Sequence, residues 1–371
     1  MKCVFAIKSL AAAGGGAERV FVDIVNGLSA REHEVTVLSY DGPAAKSFYP
    51  LASEDCWVRL GIGRTDRPAT SLETAQRMLA LRHTIAGLKP DVAVGFMHSM
   101  FIPLGLALIG SRIPMIASEH IVPIHYKDRL LERLLLRLTP WLARRVTVVS
   151  EQAMAAYPPA MRAVMVVIPN PVRVMSDSHA DVLGVGRPRK VLLSVGRLTE
   201  QKDHATLVDS FSLIADRLPE WDLRIVGEGE CRAELQSRIA AAGLQERVSL
   251  PGATADIWQE YANAQLYVMP SLYESQGLAL VEALQSGLPA VGFADCPGVN
   301  ELIHAGLNGV LLSGEDRVQA LAGALEGLMS DGQARADLVQ SRVPAQEKNV
   351  PEQVLDRWEE LLHATCRASS P

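Results

Sequence analysis

The chain has 371 residues, a hydrophobic fraction of 48%, a mean hydropathy of +0.12 and a formal net charge of −6. This length exceeds what one ordinary hydrophobic core supports, so about two domains are expected. No uninterrupted apolar run reaches the roughly 20 residues that a membrane-spanning helix needs. Five widely spaced cysteines without a Cys-x-x-Cys pair indicate reduced thiols in the cytoplasm rather than a disulfide scaffold.

Charge divides the chain in two. Residues 1–175 contain 20 Lys and Arg against 14 Asp and Glu, whereas residues 176–371 contain 16 against 28. Two interpretations stay open. Either the excess charges are solvated faces distributed by chance, or the basic half meets an anionic phospholipid surface or a phosphorylated acceptor. Nucleic acid is not among the expected partners.

Short β-branched runs alternate with helical patterns throughout, which predicts an α/β doubly wound architecture with parallel sheets. The strands predicted in the first half are Lys2–Lys8, Glu34–Ser39, Trp57–Leu60, Asp91–Phe96, Pro114–Ser118, Arg145–Val149 and Met165–Ile168. After the first strand, Gly14, Gly15 and Gly16 form a loop that enters a helix. The loop lacks the spacing of a dinucleotide fingerprint and the Gly-Lys-Ser/Thr end of a Walker loop. It is therefore either a plain tight turn or a ligand site lined by backbone.

The tripeptide Ser118-Glu119-His120 stands at the carboxyl end of a predicted strand. Ligands of open α/β sheets bind beyond the carboxyl ends of strands, so His120 is placed to reach one. A lone histidine is explained equally well as a structural residue, and both interpretations stay open.

The segment 125–145 predicts a basic amphipathic helix. The segment contains six Lys and Arg but only two acidic residues. Arg129, Arg133 and Arg137 recur at helical spacing, and several leucines and Trp141 supply apolar surface. Such a helix is typical of a membrane surface, although a helix that covers the sheet would bury the same leucines. The side chains predicted to face the membrane are Lys127, Arg129, Arg133, Arg137, Arg144 and Arg145.

The periodicity breaks around Pro169-Asn170-Pro171, and residues 172–188 are rich in Ser, Asp, Gly and Pro. This composition predicts a domain boundary, with one domain over residues 1–172 and a second over residues 173–350. The strands predicted in the second half are Val191–Val195, Leu223–Val226, Val248–Leu250, Leu266–Met269 and Ala290–Phe293. A last amphipathic helix, Pro351–Cys366, either caps the second domain or crosses back onto the first.

Two loops of the second half follow strands at the end where ligands bind. In the first, Asp203 can cap the following helix, which leaves Arg197 and Lys202 together between strand and helix. They are either two solvated cations or a site for an anion. In the second, Gly227-Glu228-Gly229-Glu230 precedes a helix at a position suited to a base or ribose.

The stretch Pro270–Pro289 concentrates the most chemistry. It places Glu274 in a loop and Glu282 inside the following helix, which Ser275-Gln276-Gly277 opens. The first amides of a helix have no intrahelical acceptor and carry the positive end of its dipole, which suits an anion. The two carboxylates could therefore hold opposite ends of a ligand whose phosphates lie between them. A nucleotide-diphosphate sugar has that layout.

Taken in order, these motifs make the chain resemble the retaining glycosyltransferases of family 4, which have the GT-B fold. The resemblance covers nearly the whole chain and depends most on Arg197 with Lys202 and on Glu274 with Glu282. It implies two facing Rossmann-like domains with parallel sheets and an active site in the cleft between them. The second domain would hold the donor, and the C-terminal helix, residues 351–371, would return to the first.

The resemblance also implies roles for individual residues. Arg197 and Lys202 would hold the donor diphosphate, Glu282 the ribose hydroxyls, and Glu274 the transferred sugar. The catalytic group would be Glu274, His120, Arg197 and Lys202, with His120 approaching from the first domain. Further donor contacts would come from Gly15, Gly16, Gly229, Glu230, Ser275, Gln276, Gly277 and Leu278. Gln276 departs from the family, where an aromatic or other apolar residue often precedes the glycine, so sugar selectivity stays open.

The sequence has no Asp-x-Asp motif and no cysteine–histidine cluster, which predicts catalysis without a metal or other cofactor. Two cations and a helix N-terminus would then neutralise the charge that builds on the leaving diphosphate. Retention of anomeric configuration is implied by the family. The implied mechanism is same-face attack, with the leaving phosphate accepting the acceptor's proton.

The expected function is transfer of a hexose or N-acetylhexosamine from a nucleotide sugar, with UDP preferred, to a lipid-linked or surface-polysaccharide acceptor. The expected location is cytoplasmic and peripheral at the inner face of the plasma membrane, with its anionic inner leaflet as a partner. Alternatives are a GDP-mannose-type mannosyltransferase, a nucleotide-sugar epimerase of the same fold, and a non-catalytic sugar-nucleotide-binding protein. A phosphorylase is disfavoured because no lysine is marked for pyridoxal phosphate.

Overall fold

The computed structural model describes residues 1–11, 16–65, 67, 69–172, 180–254, 256–339 and 349–367. Contacts group Met1–Pro171 with Pro351–Pro371 in one unit, here unit 1, and Val172–Val350 in another, unit 2. Each unit has its own parallel sheet with helices packed against it.

Unit 1 is built on a parallel sheet in the order β3-β2-β1-β4-β5-β6-β7. Its strands are β1 (Lys2–Ala6), β2 (Glu34–Ser39), β3 (Trp57–Arg59), β4 (Val92–Phe96), β5 (Met115–Ser118), β6 (Arg145–Val148) and β7 (Met165–Val167). Its helices up to the boundary are α1 (Gly16–Ala30), α2 (Ser71–Leu88), α3 (His98–Ala107), α4 (Leu130–Leu136), α5 (Thr139–Leu142), α6 (Glu151–Ala155) and α7 (Pro159–Arg162). All residues of β4 and β5 are buried, as expected for parallel strands that helices cover on both faces.

Unit 2 repeats this plan with the strand order β10-β9-β8-β11-β12-β13. Its strands are β8 (Lys190–Val195), β9 (Trp221–Val226), β10 (Val248–Gly252), β11 (Leu266–Met269), β12 (Ala290–Phe293) and β13 (Gly309–Leu312). Its helices are α8 (His204–Ile214), α9 (Arg232–Ala241), α10 (Ile257–Asn263), α11 (Leu278–Gln285), α12 (Arg317–Ser330) and α13 (Gly332–Asp337). In both sheets the order reverses at the first strand, between β1 and β4 and between β8 and β11. Open α/β sheets bind ligands beyond the carboxyl ends of the strands at such a reversal.

The C-terminal helix α14 (Pro351–Arg367) packs within unit 1 against α1. Arg31 forms ion pairs with Glu359 at 2.6 Å and Asp356 at 2.8 Å. Trp358 is 2% exposed and stacks on Phe96, with ring centroids 6.0 Å apart. The helix therefore completes the core of unit 1.

The strands predicted from sequence are present, with ends that differ by at most two residues. Two predictions need correction. The strand Gly309–Leu312 was not predicted, although its residues form a short apolar run; it is an edge strand whose last three residues are only partly buried. The segment 125–145 is not one helix but a 3₁₀ turn, Pro123–Tyr126, followed by α4 and α5. Pro140 has no amide hydrogen to donate, so it cannot continue the hydrogen bonding of α4.

Candidate functional site

The loops after β8 and β11 meet because these strands are neighbours in a parallel sheet. Lys202 Nζ lies 2.6 Å from Glu274 Oε1, although the two residues are 72 positions apart in the sequence. The contact stands at the strand-order reversal of unit 2, beyond the carboxyl ends of the strands. Two predicted catalytic residues are thus brought together at the edge where a ligand would bind.

Glu274 is held from several sides. Its side chain is 8% exposed, and Ser271 Oγ donates a hydrogen bond to Oε1 at 2.6 Å. The Glu274 amide donates to the Pro297 carbonyl at 2.9 Å. The ammonium of Lys202 has three N–H groups, so its bond to Glu274 leaves others for a phosphate. The carboxylate therefore orients Lys202 without using all of its donors.

Arg197 stands on the same loop but differs from Lys202 in being exposed. The loop is fixed to the turn after β9, because the Leu198 amide donates to the Glu228 carbonyl at 2.9 Å. A Cβ on Gly229 would lie 2.3 Å from the Leu198 carbonyl oxygen, so glycine permits this close approach. Glu230, the predicted ribose or base contact, is exposed.

The helix α11 begins as predicted, with Gly277 as its N-cap at φ 66° and Leu278 as its first residue. Glu282 is 5% exposed and accepts a hydrogen bond from the Tyr261 hydroxyl at 2.8 Å. No sequence motif marks Tyr261, which comes from α10. Gln276 is 8% exposed and Ser275 is partly buried. The stretch therefore holds two buried carboxylates, Glu274 before the helix and Glu282 within it.

Arg317 also holds the loop that carries Glu274, and sequence reasoning did not identify it. Arg317 lies over the Phe293 ring, with its guanidinium carbon 3.6 Å from the ring centroid. It donates to the carbonyls of Pro270 at 2.7 Å and Ser271 at 3.2 Å. Arg317 therefore fixes the start of the Glu274 loop from α12, a helix about 40 residues downstream.

In unit 1, the Ser118-Glu119-His120 turn follows β5 as predicted. His120 Nε2 lies 2.9 Å from Ser118 Oγ, and the imidazole stacks on Phe96 with centroids 5.0 Å apart. Burial lowers the pKa of His120 to about 4, and an opposing hydrogen bond with Asn170 raises it. The ring is therefore neutral near pH 7. Gly16 begins α1, whereas Gly14 and Gly15 lie outside the described residues, so the role of Gly15 stays a prediction.

A buried polar chain links this turn to α4. The Tyr126 hydroxyl lies 3.2 Å from Glu119 Oε2 and 2.8 Å from His98 Nδ1. His98 Nε2 in turn faces Glu132 Oε2 at 3.4 Å. Burial raises the pKa of Glu119, which is 1% exposed, to about 8, and lowers the pKa of His98 to about 4. Both groups are therefore mainly uncharged near neutral pH. The sequence favoured His98 less than His120 and did not single out Tyr126.

Two family models match the chain. Residues 14–174 match the family described as Glycosyltransferase Family 4, and residues 176–342 match the family described as Glycosyl transferases group 1. The chain is a glycosyltransferase with the GT-B fold.

Relatives agree over almost the full length. A glycosyltransferase of Haemophilus influenzae is 24% identical over 97% of this chain and 99% of its own. An α-1,4-N-acetyl-D-galactosaminyltransferase of Campylobacter jejuni, named for an undecaprenol-linked glycan, is 26% identical over 91% of this chain and 92% of its own. The crystal structure of Anabaena HepE with UDP and glucose superposes with a TM-score of 0.77 at 22% identity, covering 98% and 99% of the two chains. The predicted fold class is thereby confirmed.

The structure bears on the predicted absence of a metal and on the predicted contact with a membrane. No group of three or more His, Cys, Asp or Glu side chains that could hold a metal occurs within the residues described above. Catalysis without a metal stays a prediction. None of the described helices is both long and apolar enough to cross a bilayer. The side chains predicted to face a membrane are all exposed, namely Lys127, Arg129, Arg133, Arg137, Arg144 and Arg145.

Gly298 lies close against the backbone of Glu274. Its φ is +79°, and a Cβ there would lie 2.7 Å from the Glu274 carbonyl oxygen. We expect Gly298→Ala to destabilise the glycosyltransferase by about 1–3 kcal/mol through backbone strain and to lower turnover by displacing Glu274. Gly323→Ala on α12 is the matched control, because nothing lies within 4 Å of the added Cβ. Denaturant unfolding compares the variants, and equal stability of the two would contradict this role for Gly298.

The raised pKa of Glu119 should make the free energy of unfolding depend on pH. The unfolded carboxyl loses its proton near pH 4.5, whereas the folded one keeps it to about pH 8. The folded state therefore binds more protons between these values, and its stability falls as the pH rises through this window. Relative to Glu119→Gln, the wild type should lose up to about 1.4 kcal/mol per pH unit between these limits and nothing further above them. Denaturant titrations at pH 5, 6.5 and 8 measure the difference, and parallel profiles would contradict the burial effect.

Proposed function

We propose that this glycosyltransferase moves a hexose or N-acetylhexosamine from a UDP-sugar to a lipid-linked or cell-surface polysaccharide acceptor. The proposal includes retention of configuration, independence of metal, and a cytoplasmic position at the inner face of the plasma membrane. The observation that carries it is the Lys202–Glu274 ion pair, which stands at the carboxyl edge of the sheet in the loops that precede α8 and α11.

The chemistry of the donor fits this arrangement. Breaking a sugar–phosphate bond builds negative charge on the leaving diphosphate. Lys202, Arg197 and the amides that open α11 are the donors proposed to receive it, each charge-assisted hydrogen bond contributing about 1.5–3 kcal/mol. Glu274 would meet the sugar hydroxyls and Glu282 the ribose. His120, neutral near pH 7, would serve as a hydrogen-bonding group rather than a cation.

The comparisons support the nucleotide and the acceptor class. HepE, of the same fold, binds UDP and glucose in its crystal structure. The Campylobacter relative is named for transfer of N-acetylgalactosamine to a glycan on undecaprenyl diphosphate. A UDP-sugar and a lipid-linked acceptor are therefore the first choices for this chain.

A thermal-shift screen with UDP-, GDP- and ADP-sugars tests the donor. A donor at 100 times its dissociation constant should add about 2.7 kcal/mol of stability, and we expect this from a UDP-sugar. Stabilisation by GDP-mannose alone would favour the mannosyltransferase, and conversion of the donor to another sugar without acceptor would favour the epimerase. EDTA should leave turnover unchanged, and the anomeric configuration of the product, read by NMR, tests retention.

A further inference from the structure

The loop between β11 and α11 is hydrogen-bonded to its surroundings at every residue from 270 to 274. This stretch, here called the Glu274 loop, has no helix or strand structure. Its main-chain bonds go to residues outside it: the carbonyls of Pro270, Ser271 and Tyr273 accept, and the amides of Leu272 and Glu274 donate. A segment without regular structure depends on such bonds for its conformation. The residues that supply them therefore determine where Glu274 stands.

Gln201 supplies two of these bonds from the loop after β8. Its main-chain carbonyl accepts from the Leu272 amide at 2.9 Å, and its side-chain Nε2 donates to the Tyr273 carbonyl at 2.7 Å. One residue thus pairs with two consecutive residues of the Glu274 loop. Gln201 directly precedes Lys202, so the same two bonds hold the backbone next to that lysine.

Arg317 connects the Glu274 loop to two further loops. It opens α12 and donates to two carbonyls at the start of the Glu274 loop, at 2.7 and 3.2 Å. Its Nε lies 3.5 Å from Asp203 Oδ2, on the loop after β8. Its Nη1 lies 3.1 Å from Asp295 Oδ1, on the loop after β12. Because β8, β11 and β12 are consecutive in the sheet, Arg317 joins the loops at the carboxyl ends of three neighbouring strands.

Lys202 lies between two residues that these contacts hold. Gln201 precedes it and Asp203 follows it, and both are connected to the loop that ends in Glu274. A lysine side chain has a flexible four-carbon stem, so the ion pair alone would leave the ammonium several positions. Reaction rates depend steeply on such positions, since a misplacement of about 1 Å can lower a rate about 100-fold. The contacts on both sides of Lys202 therefore bear on the rate of transfer.

We propose that Gln201 and Arg317 are positioning residues for sugar transfer, which hold Lys202 and Glu274 at the distance that the reacting sugar and its diphosphate require. The inference rests on the proposed function and adds two residues to it. Their role requires no contact with the donor. The ribose is proposed to meet Glu282, which these bonds do not hold. Loss of either residue should therefore lower kcat much more than it weakens the binding of UDP.

Gln201→Met and Arg317→Lys test the proposal. Gln201→Met keeps the length of the side chain but removes the donor to Tyr273. Arg317→Lys keeps the charge, but a single ammonium lacks the planar fork that reaches several acceptors at once. Each variant should lower kcat at least about tenfold and change the Kd of UDP, measured by calorimetry, less than about threefold. Wild-type kcat in both variants, or equal losses in kcat and in UDP affinity, would overturn the proposal.

Arg335 provides the matched control, because it makes the same kinds of contact on another helix of unit 2. It is 1% exposed and lies over the Trp221 ring, with its guanidinium carbon 4.9 Å from the ring centroid. It donates to the Val182 carbonyl at 2.9 Å and the Leu328 carbonyl at 2.5 Å. Arg335→Lys should lower the denaturant midpoint at least as much as Arg317→Lys and leave kcat near that of the wild type. Equal losses of kcat in these two variants would mean that lost stability explains the effect, and would overturn the positioning role.

Hydrogen exchange measures the Glu274 loop without any substrate. The Leu272 and Glu274 amides should exchange at least about tenfold faster in Arg317→Lys than in the wild type, and Arg335→Lys should leave their exchange unchanged. Mass spectrometry of peptides that span the loop measures both. Unchanged exchange in Arg317→Lys would show that Arg317 does not hold the loop and would overturn its assignment.

The two measurements separate this inference from the proposed function. A wild type that turns over a UDP-sugar, with both variants equally fast, refutes only the positioning role. A wild type that uses a GDP-sugar instead refutes only the choice of nucleotide, and kcat is then compared with that donor. A wild type that turns over no nucleotide sugar refutes the proposed function, and hydrogen exchange still decides whether Arg317 holds the loop.

Discussion

Replacing Arg197 with alanine is expected to lower kcat/KM for the donor at least ~100-fold, the scale of losing one contact to charge that develops in the transition state. The free energy of unfolding should stay unchanged, because Arg197 is exposed on the loop after β8. A large kinetic effect without a stability effect is the signature of a residue that meets the ligand. Steady-state kinetics and denaturant unfolding of the same preparation measure both.

Arg187→Ala is the matched control for this variant. Arg187 is also an exposed arginine of unit 2, but it precedes β8 and so stands at the other end of the strand. Its loss should change neither kinetics nor stability appreciably. Arg197→Lys should recover part of the activity, since it keeps the charge but loses the planar pair of donors that fits a phosphate. Activity of Arg197→Ala near that of the wild type would remove Arg197 from the site.

The strands of both sheets could be predicted because each is a short β-branched or apolar run bounded by turn residues. β2, β11 and β12 agree with the predicted ranges at both ends. β13 has the same pattern, since residues 310–312 are an apolar run between turn residues, but it was overlooked. Its position at the edge of the sheet, beside β12, is a property of the sheet that a local pattern does not carry.

The candidate site was predicted residue by residue but not as a set of contacts. The resemblance grouped Lys202 with Arg197 because they share a loop, whereas the structure pairs Lys202 with Glu274 on the neighbouring strand's loop. Ser271, Tyr261 and Arg317 support the two glutamates from positions that no motif marks. Strand adjacency brings these side chains together, and it follows from the order β8-β11 rather than from spacing along the chain.

The crossover between β5 and β6 shows the same limit in another form. Periodicity alone predicted a leucine-rich helix and left open whether its leucines cover the sheet or face outward. The structure divides them, with Leu136 at 6% exposure and Leu131 at 70%. Helical spacing determines which residues share a face, but only the packing of α4 against its neighbours determines which face is buried.

Replacing Lys202 in the Lys202–Glu274 pair is expected to lower the free energy of unfolding more than replacing Glu274. Lys202→Met leaves a carboxylate whose side chain is only 8% exposed without its cation, and removing one partner of a buried pair costs about 3–5 kcal/mol. Glu274→Gln leaves an ammonium at 17% exposure, which water reaches more readily. It also leaves a side-chain amide oxygen that can accept from Ser271.

The double variant Lys202→Met/Glu274→Gln decides whether the two residues act as a unit. Its loss of unfolding free energy should be smaller than the sum of the two single-variant losses by about 1–3 kcal/mol, the range of coupling between contacting residues. Each single variant should lower turnover at least ~100-fold. The double variant should turn over little more slowly than the slower single variant, because residues that act as a unit have non-additive effects on the rate. Denaturant unfolding and single-turnover kinetics of the four proteins complete the cycle. Additive losses in both measurements would mean that the pair is not formed in solution and that Lys202 and Glu274 serve the donor independently.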